Sequence, residues 1–287
     1  MTAVAFIGLG NMGGPMAANL ARAGHEVIGF DVVDRQIEGV SIAETAAQAA
    51  ERAEVVITSL PNGALVAQVV DELLAADSSP RLLIDVSTIA VAEARELAQR
   101  VAVAGSSFLD APVSGGIAGA SAGTLAFMVG GEAEDFERAK PLLGAMGSSI
   151  THCGPAGTGQ AVKACNNMIL AVHQIVLSEA LVLGERLGLD PQAFFDVVSN
   201  ATGNSWALSV NAPVPGLVEG SPANRDFEPG FASTLMLKDL GLAMEAAQQT
   251  GTETVLGRIA ATQYAQFVEG GNGGKDFSAI INKVRDA

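Results

Sequence analysis

The chain has 287 residues, of which 31 are acidic and 16 are basic, and its formal net charge is −15. Because the lysines and arginines do not cluster and aromatic residues make up only 5% of the chain, the composition argues against a nucleic-acid-binding surface. Two cysteines are too few for a disulfide framework and the three histidines lack metal-ligand spacing, so we predict no metal site and a reducing, cytoplasmic setting.

Short runs rich in valine, isoleucine and leucine recur through the first half of the chain, and helix-like segments separate the early runs. The runs are VAFIG, EVIGF, VVITSL, LLIDVS, SFLDAP, LAFMVGG and SITHCG, and the helical segments are residues 15–23, 64–75 and 91–104. This alternation is typical of βαβ units. We therefore predict an α/β fold, with a doubly wound, mostly parallel sheet at residues 1–158 and an all-helical domain at residues 159–287.

A glycine-rich turn follows the first predicted strand and opens a helix. It consists of Gly8, Leu9, Gly10, Asn11, Met12 and Gly13. The GxGxxG spacing in this context predicts a dinucleotide site, with the pyrophosphate facing the helix N-terminus. Asp31, which ends the second strand, is placed to bind both hydroxyls of the adenosine ribose and to repel a 2′-phosphate. The sequence therefore favours NAD over NADP, although Arg35 leaves some use of both open.

Later strand ends supply further candidate ligands, because cofactors in such sheets lie outside the carboxyl ends of the strands. Leu60 and Pro61 follow VVITS, Leu65 lies just beyond them, and Ser87 and Thr88 follow LLIDV. We predict that Leu60, Pro61, Leu65 and Thr88 line the cofactor site. Packing against the core is the alternative for Leu60, and a plain turn or helix cap is the alternative for these loops.

A serine followed by two glycines, Ser114, Gly115 and Gly116, comes after SFLDAPV. The uncovered backbone N–H groups and the serine hydroxyl form a nest that suits a substrate carboxylate, and a plain loop turn is the alternative.

The segment GQAVKACNNMILAVHQIVL predicts a buried helix with one lysine, Lys163, and with Asn166 and Asn167 on the same side. Burial beside a cationic nicotinamide ring would lower the pKa of Lys163 and allow proton exchange with an alcohol. A salt bridge or a lysine whose head reaches solvent is the alternative. The charge-free residues 164–178 are fewer than the roughly 20 of a membrane span, so we expect no membrane partner.

These motifs together resemble the β-hydroxyacid dehydrogenases, and most closely the 3-hydroxyisobutyrate branch. The similarity runs nearly end to end, through FIGLGNMGGPMAANLARAGHEV, LLIDVSTI, FLDAPVSGG, GQAVKACNNMILAV, LMLKDLGLA and KDFS. The segment after Asp31 is shorter than is usual in the family, which predicts a more open adenosine end. KACNNM, Trp206 and the PVPG loop favour the hydroxyisobutyrate branch over the glyoxylate and tartronate semialdehyde reductases.

The resemblance implies roles for individual residues. Lys163 matches the catalytic lysine, and Asn167 matches a residue of the carboxylate-binding set, which we also expect to act in catalysis by positioning the substrate or the lysine. Ser114, Gly115 and Gly116, with Trp206 and Asp239, match substrate-binding positions, and Lys238 matches a lysine near the cofactor. From the residues alone, Lys238 and Asp239 would be an ordinary charged pair on a helix.

The implied activity is NAD-linked oxidation of 3-hydroxyisobutyrate to methylmalonate semialdehyde, a step of valine catabolism. An NADPH-dependent short-chain semialdehyde reductase and a non-catalytic cofactor-binding module are the alternatives. The apolar helices of the second domain also predict a homo-oligomer, either a dimer or a tetramer.

Overall fold

The computed structural model describes residues 2–76, 79 and 81–286, and the chain divides into two compact units. Unit 1 is Met1–Lys163 and unit 2 is Ala164–Ala287, so the division falls within the first turns of the long helix that carries Lys163. Unit 1 contains a mixed sheet with helices, whereas unit 2 is helical. The α/β class predicted from the sequence is confirmed.

Within the described residues, the sheet of unit 1 has nine strands. They are β1 (Ala3–Ile7), β2 (Glu26–Phe30), β3 (Val40–Ile42), β4 (Val55–Thr58), β5 (Leu82–Asp85), β6 (Ser107–Asp110), β7 (Val113–Ser114), β8 (Leu125–Gly130) and β9 (Gly147–Gly154). The central strands, β1, β4, β5, β6 and β8, are largely buried. The order is β3-β2-β1-β4-β5-β6-β8-β7, with β9 beside β8. All pairs from β3 to β6 are parallel, and β8 runs antiparallel to both β6 and β7.

The helices of unit 1 connect these strands. They are α1 (Gly13–Arg22), α2 (Ala46–Ala50), α3 (Gly63–Ala76), α4 (Val91–Val103), α5 (Gly116–Ala122), α6 (Ala133–Met146) and the first turns of α7 (Thr158–Arg186). Strand β1 is buried on both faces, since Val4 and Phe6 join one core cluster while Ala5 and Ile7 join another. The chain reverses its strand order at β1, between β2 and β4, and dinucleotides bind at such switch points.

The structure differs from the predicted run SFLDAPV, which continues to the residue before Ser114. Strand β6 ends at Asp110, and Val113 and Ser114 form the separate strand β7, which pairs with β8. Pro112 lies between the two strands and lacks the N–H group that a continuous strand would use. The elements β3, β7, α2, α5 and α6 were not predicted.

Unit 2 packs helices around its own core. After α7 come α8 (Pro191–Val198), α9 (Trp206–Ser209), α10 (Ser233–Thr250), α11 (Val255–Phe267) and α12 (Ile280–Arg285). Tyr264 and Phe277 are buried in this core, and the Tyr264 hydroxyl donates to the Phe277 carbonyl at 3.1 Å. A π-helical turn, Val268–Asn272, follows α11 and includes the first three residues of the GGNGG segment at residues 270–274.

Helix α7 is longer than the predicted residues 159–177 and is long and apolar enough to cross a membrane, with a mean hydropathy of 1.5 over an 18-residue window. Core helices of soluble proteins meet the same criterion, and 44% of that window is buried within the protein. Its polar side chains Gln160, Lys163 and Asn167 all form hydrogen bonds to protein groups. The expected absence of a membrane partner stays a prediction.

Candidate active site

The glycine turn of unit 1 has the backbone that a dinucleotide site needs. Gly8 has a φ of 95°, and a Cβ there would overlap the Ser59 carbonyl. A Cβ at Gly13 would overlap the Gly8 carbonyl, so close packing of strand and helix requires glycine at both positions. A Cβ at Gly10, by contrast, would meet nothing within 4 Å, which leaves that backbone open to a ligand.

The carboxylate of Asp31 is held against this turn. Its Oδ2 accepts from the Leu9 N–H at 2.7 Å, and its Oδ1 accepts from the Val33 N–H at 2.9 Å. The Leu9 side chain is buried in the core, Met12 is half-buried and Asn11 is exposed. An open cavity of about 570 Å³ adjoins the turn, lined by Leu9, Gly10, Asn11, Gly14, Pro15, Asp34, Arg35, Gln36, Ile37 and Ile117. These features fit the adenosine and pyrophosphate parts of NAD.

The loops after β4 and β5 are joined by a buried hydrogen-bond network that the sequence did not predict. Ser87 Oγ accepts from the Leu60 N–H at 2.8 Å. Asp85 Oδ1 accepts from the Thr58 hydroxyl at 2.8 Å and from the Ser87 N–H at 3.1 Å. Among the described residues no group bonds to Asp85 Oδ2, and burial raises the pKa of this carboxyl to about 7. The network fixes these two loops relative to each other.

The four candidate ligands on these loops differ in exposure. Leu60 is half-buried and packs against the core, Thr88 is half-buried, and both Pro61 and Leu65 are exposed. Thr88 lies between Ser87 and Ile89, whose backbone groups are bound by the Gln160 side chain. The predicted ligands after β4 and β5 are thus connected, through Ser87 and Gln160, to the start of α7.

The start of α7 is fixed to the end of β6 by a buried aspartate. Asp110 Oδ1 accepts from the Gly157 N–H at 2.7 Å, and Oδ2 accepts from the Gln160 N–H at 2.9 Å. These bonds satisfy N–H groups that a helix N-terminus otherwise leaves without partners. Burial raises the pKa of Asp110, and the bonds from Gly157 and Gln160 oppose that rise.

Lys163 follows Gln160 by three residues on α7, and its side chain is buried. Its Nζ donates to the Val113 carbonyl oxygen at 2.8 Å. Because Val113 precedes Ser114 in β7, this bond brings the ammonium beside the predicted carboxylate nest. Gly115 and Gly116 have φ values of 133° and 61°, and Gly115 is exposed, so the nest is open to a ligand.

In unit 2, Asn167 and Asp239 form a buried pair. Asn167 Nδ2 donates to Asp239 Oδ2 at 2.5 Å, and Asn167 Oδ1 accepts from Asn166 Nδ2 at 2.9 Å. Asp239 is therefore not an ordinary surface charge, as the sequence alone suggested, because α10 buries it against α7. Its neighbour Lys238 is half-buried, and Trp206, at the start of α9, is 53% exposed.

No group of three or more His, Cys, Asp or Glu side chains in the described part of the chain could hold a metal ion.

Comparison with known proteins places the chain in a family. Residues 3–154 match the model of the NAD-binding domain of 6-phosphogluconate dehydrogenase, and residues 157–284 match a domain described as NAD-binding of NADP-dependent 3-hydroxyisobutyrate dehydrogenase. A protein of Mycobacterium tuberculosis named as a probable 3-hydroxyisobutyrate dehydrogenase is 52% identical, over 99% of this chain and 98% of its own. An NAD-dependent L-serine dehydrogenase of Pseudomonas aeruginosa is 44% identical, over 100% of this chain and 98% of its own.

A solved structure gives the same result. The 3-hydroxyisobutyrate dehydrogenase of Mycobacterium tuberculosis, described together with L-serine, matches with a TM-score of 0.95 at 52% identity, over 99% of both chains. The chain therefore belongs to the 3-hydroxyisobutyrate dehydrogenase family of NAD-dependent hydroxyacid dehydrogenases.

Proposed function

We propose that this enzyme oxidises the primary alcohol of 3-hydroxyisobutyrate, giving methylmalonate semialdehyde. The observation that carries the proposal is the anchoring of Lys163, whose Nζ atom is held by the Val113 carbonyl next to Ser114, Gly115 and Gly116. A carboxylate bound by the nest would be placed close to this lysine. The similarity to 3-hydroxyisobutyrate dehydrogenases supports the same substrate.

NAD⁺, which the glycine turn Gly8–Gly13 and Asp31 would hold, would supply the hydride acceptor for oxidation of the CH₂OH carbon of the substrate. Neutral Lys163 takes the hydroxyl proton, and the Val113 carbonyl holds the Nζ atom in place while it does so. The Ser114 hydroxyl and the N–H groups of Gly115 and Gly116 bind the substrate carboxylate. We assign Asn167 a positioning role, one helical turn beyond Lys163, and its amide is itself oriented by Asp239. Trp206 and Asp239 remain proposed substrate-binding residues.

We propose that NAD is preferred over NADP. The Asp31 carboxylate is held in place by two backbone N–H groups, so a 2′-phosphate would meet a fixed negative charge. Gly8 to Gly13, Leu60, Pro61, Leu65, Thr88 and Lys238 are the proposed cofactor contacts. Comparing kcat/KM for NAD⁺ and NADP⁺, in the wild type and in Asp31→Ala, tests this. A wild-type preference for NADP⁺ would favour the semialdehyde reductase alternative.

L-serine is a second candidate substrate, because a 44% identical relative is named as an L-serine dehydrogenase and a matching structure is described together with L-serine. L-serine has the same carboxylate and CH₂OH group, and differs in carrying an ammonium where 3-hydroxyisobutyrate has a methyl. The nest and Lys163 act on the shared groups, so both molecules fit the proposed chemistry.

A panel of substrates tests the proposed activity. We expect NADH formation with 3-hydroxyisobutyrate to give the highest kcat/KM among 3-hydroxyisobutyrate, L-serine, 3-hydroxypropionate and glycerate. A higher value for L-serine would reassign the substrate while leaving the chemistry intact. Saturable NAD binding with no turnover of any of the four compounds would contradict the proposed dehydrogenase activity and would support a non-catalytic cofactor-binding module.

We also propose that the enzyme is a cytoplasmic homo-oligomer that acts in valine catabolism. Ile169, Val176 and Leu183 lie at intervals of seven residues on α7 and are 51%, 54% and 60% exposed. A row of exposed apolar side chains on one helix suits burial against a second copy. Light scattering of the wild type and of Val176→Glu tests this, with an oligomer and a shift towards monomer as the expected results.

A further inference from the structure

Gln160 is a buried polar residue on α7 to which the proposed reaction assigns no role. Its backbone N–H donates to Asp110, and its side-chain amide forms two further bonds within unit 1. Nε2 donates to the Ser87 carbonyl at 2.8 Å, and Oε1 accepts from the Ile89 N–H at 3.2 Å. The amide therefore binds the loop after β5 at two points, much as a neighbouring strand would bind it.

The two bound peptide groups lie on either side of Thr88. The bonds use the carbonyl before Thr88 and the N–H after it, so the N–H and carbonyl of Thr88 itself take no part in them. Because both bonds are made by one planar amide, they fix the loop in direction as well as in position. Ser87 also accepts from the Leu60 N–H, which extends the connection to the loop after β4.

On its other side, Gln160 is connected to Lys163. The two residues are three apart on one helix, so they lie on neighbouring positions of the same face, about 4.5 Å apart along the helix axis. Nothing flexible separates them, because Asp110 fixes the first turn and Val113 fixes the Lys163 ammonium. The position of the loop around Thr88 is thereby tied to that of Lys163.

We propose that Gln160 is a positioning residue for hydride transfer, which holds the cofactor loop around Thr88 in register with Lys163. The inference rests on the proposed roles of Lys163 and Thr88. Proton removal and hydride transfer occur at adjacent atoms of the same CH₂OH group, so the groups that hold the cofactor and the base must keep a fixed separation. A displacement of about 1 Å in such a geometry costs on the order of a hundredfold in rate.

A pair of isosteric substitutions on α7 provides the test. Gln160→Met keeps the volume of the side chain and removes both bonds to the loop. Gln174→Met is the matched control, because Gln174 is also fully buried on α7 and its side-chain N and O atoms have no hydrogen-bond partner within the described residues. Gln160→Asn is the second variant, since it keeps an amide that is too short by one methylene to reach both loop groups.

Two quantities are measured in a single turnover with enzyme in excess: the rate constant of NADH formation, and its amplitude, which is the amount of NADH formed. The Kd for NAD⁺ is measured on the same preparation. We expect Gln160→Met to lower the rate constant by about 10–100-fold. Gln160→Asn should lower it by less, and Gln174→Met should leave it within about twofold of wild type. A purely structural role would instead lower the amplitude, because fewer molecules would be folded, and would leave the rate constant unchanged.

The inference is overturned if the Gln160→Met rate constant stays within threefold of the Gln174→Met value, or if neither Gln160 variant folds. It fails separately from the proposed function. A wild type that oxidises 3-hydroxy acids, with loss of activity in Lys163→Ala and wild-type rates in Gln160→Met, would contradict only the role of Gln160. An inactive wild type would contradict the proposed function itself.

Discussion

Replacing Asp85 by asparagine should stabilise unit 1 relative to the wild type, and by more as the pH rises from 5 to 8. Asp85 Oδ1 accepts from Thr58 and Ser87, and an asparagine oxygen can accept both bonds. The asparagine NH₂ group would take the place of Oδ2, which has no hydrogen-bond partner among the described residues. The main change is therefore that a buried carboxyl, which must ionise as the pH rises, becomes a neutral amide.

The size of the effect follows from the pKa of Asp85, which burial raises from 3.8 to about 7. Below pH 3.8 the carboxyl is neutral in both the folded and the unfolded chain. As the pH rises towards 7 only the unfolded chain releases the proton, so the free energy of unfolding falls by about 1.4 kcal/mol per pH unit. The total loss is about 4 kcal/mol, of which roughly 2.5 kcal/mol falls between pH 5 and pH 8.

Calorimetric unfolding of wild type and Asp85→Asn across pH 5–8 measures this difference. For a unit of this size, we expect the Tm difference between Asp85→Asn and the wild type to be about 5–10 °C larger at pH 8 than at pH 5. Asp71→Asn is the control, since it removes an exposed carboxylate in the same unit and should show no such gain. A Tm difference between wild type and Asp85→Asn that does not change with pH would refute the reasoning.

Three further predictions follow from the geometry of each unit. Asp110→Ala removes both acceptors at the start of α7 and should lower the free energy of unfolding by about 2 kcal/mol, measured as a lower Tm. Gly13→Ala places a methyl against the Gly8 carbonyl and should weaken NAD binding at least tenfold by calorimetry, whereas Gly144→Ala, on α6 of the same unit, should not. Asn167→Ala removes the amide that donates to Asp239 and should lower kcat about 10–100-fold with little change in the Kd for NAD⁺; an unchanged kcat would remove Asn167 from the proposed mechanism.

The parts of the fold that the sequence predicted are those encoded by local patterns. The glycine turn depends on neighbouring residues, and the order of strands and helices depends on periodicities of two and 3.6 residues. The second domain follows from the loss of strand-like runs after Gly159. Short elements such as β7 were missed, because a two-residue strand is defined by its partner β8 rather than by its own residues.

The candidate site was predicted where chemistry is visible in a residue type, and missed where it depends on distant partners. Lys163 and Asp31 stand out as charges in apolar segments. The Asp110 bonds to α7 join residues 47 and 50 apart in the sequence, and the Gln160 bonds join residues 71 and 73 apart. An aspartate at a strand end and a glutamine in a helix carry no local sign of such partners. The sequence offered one sign of a role for Gln160: it is a polar residue in an apolar helical segment, one turn before Lys163.

Single-turnover kinetics of Lys163→Ala, with NAD⁺ binding measured on the same preparation, test the central claim most directly. If Lys163 takes the hydroxyl proton, the rate constant for NADH formation from 3-hydroxyisobutyrate should fall by about 10²–10⁴-fold while the Kd for NAD⁺ stays near the wild-type value. Lys140→Ala, which removes an exposed lysine of unit 1, should behave as wild type. A Lys163→Ala rate constant within tenfold of wild type, with NAD⁺ binding intact, would contradict the account.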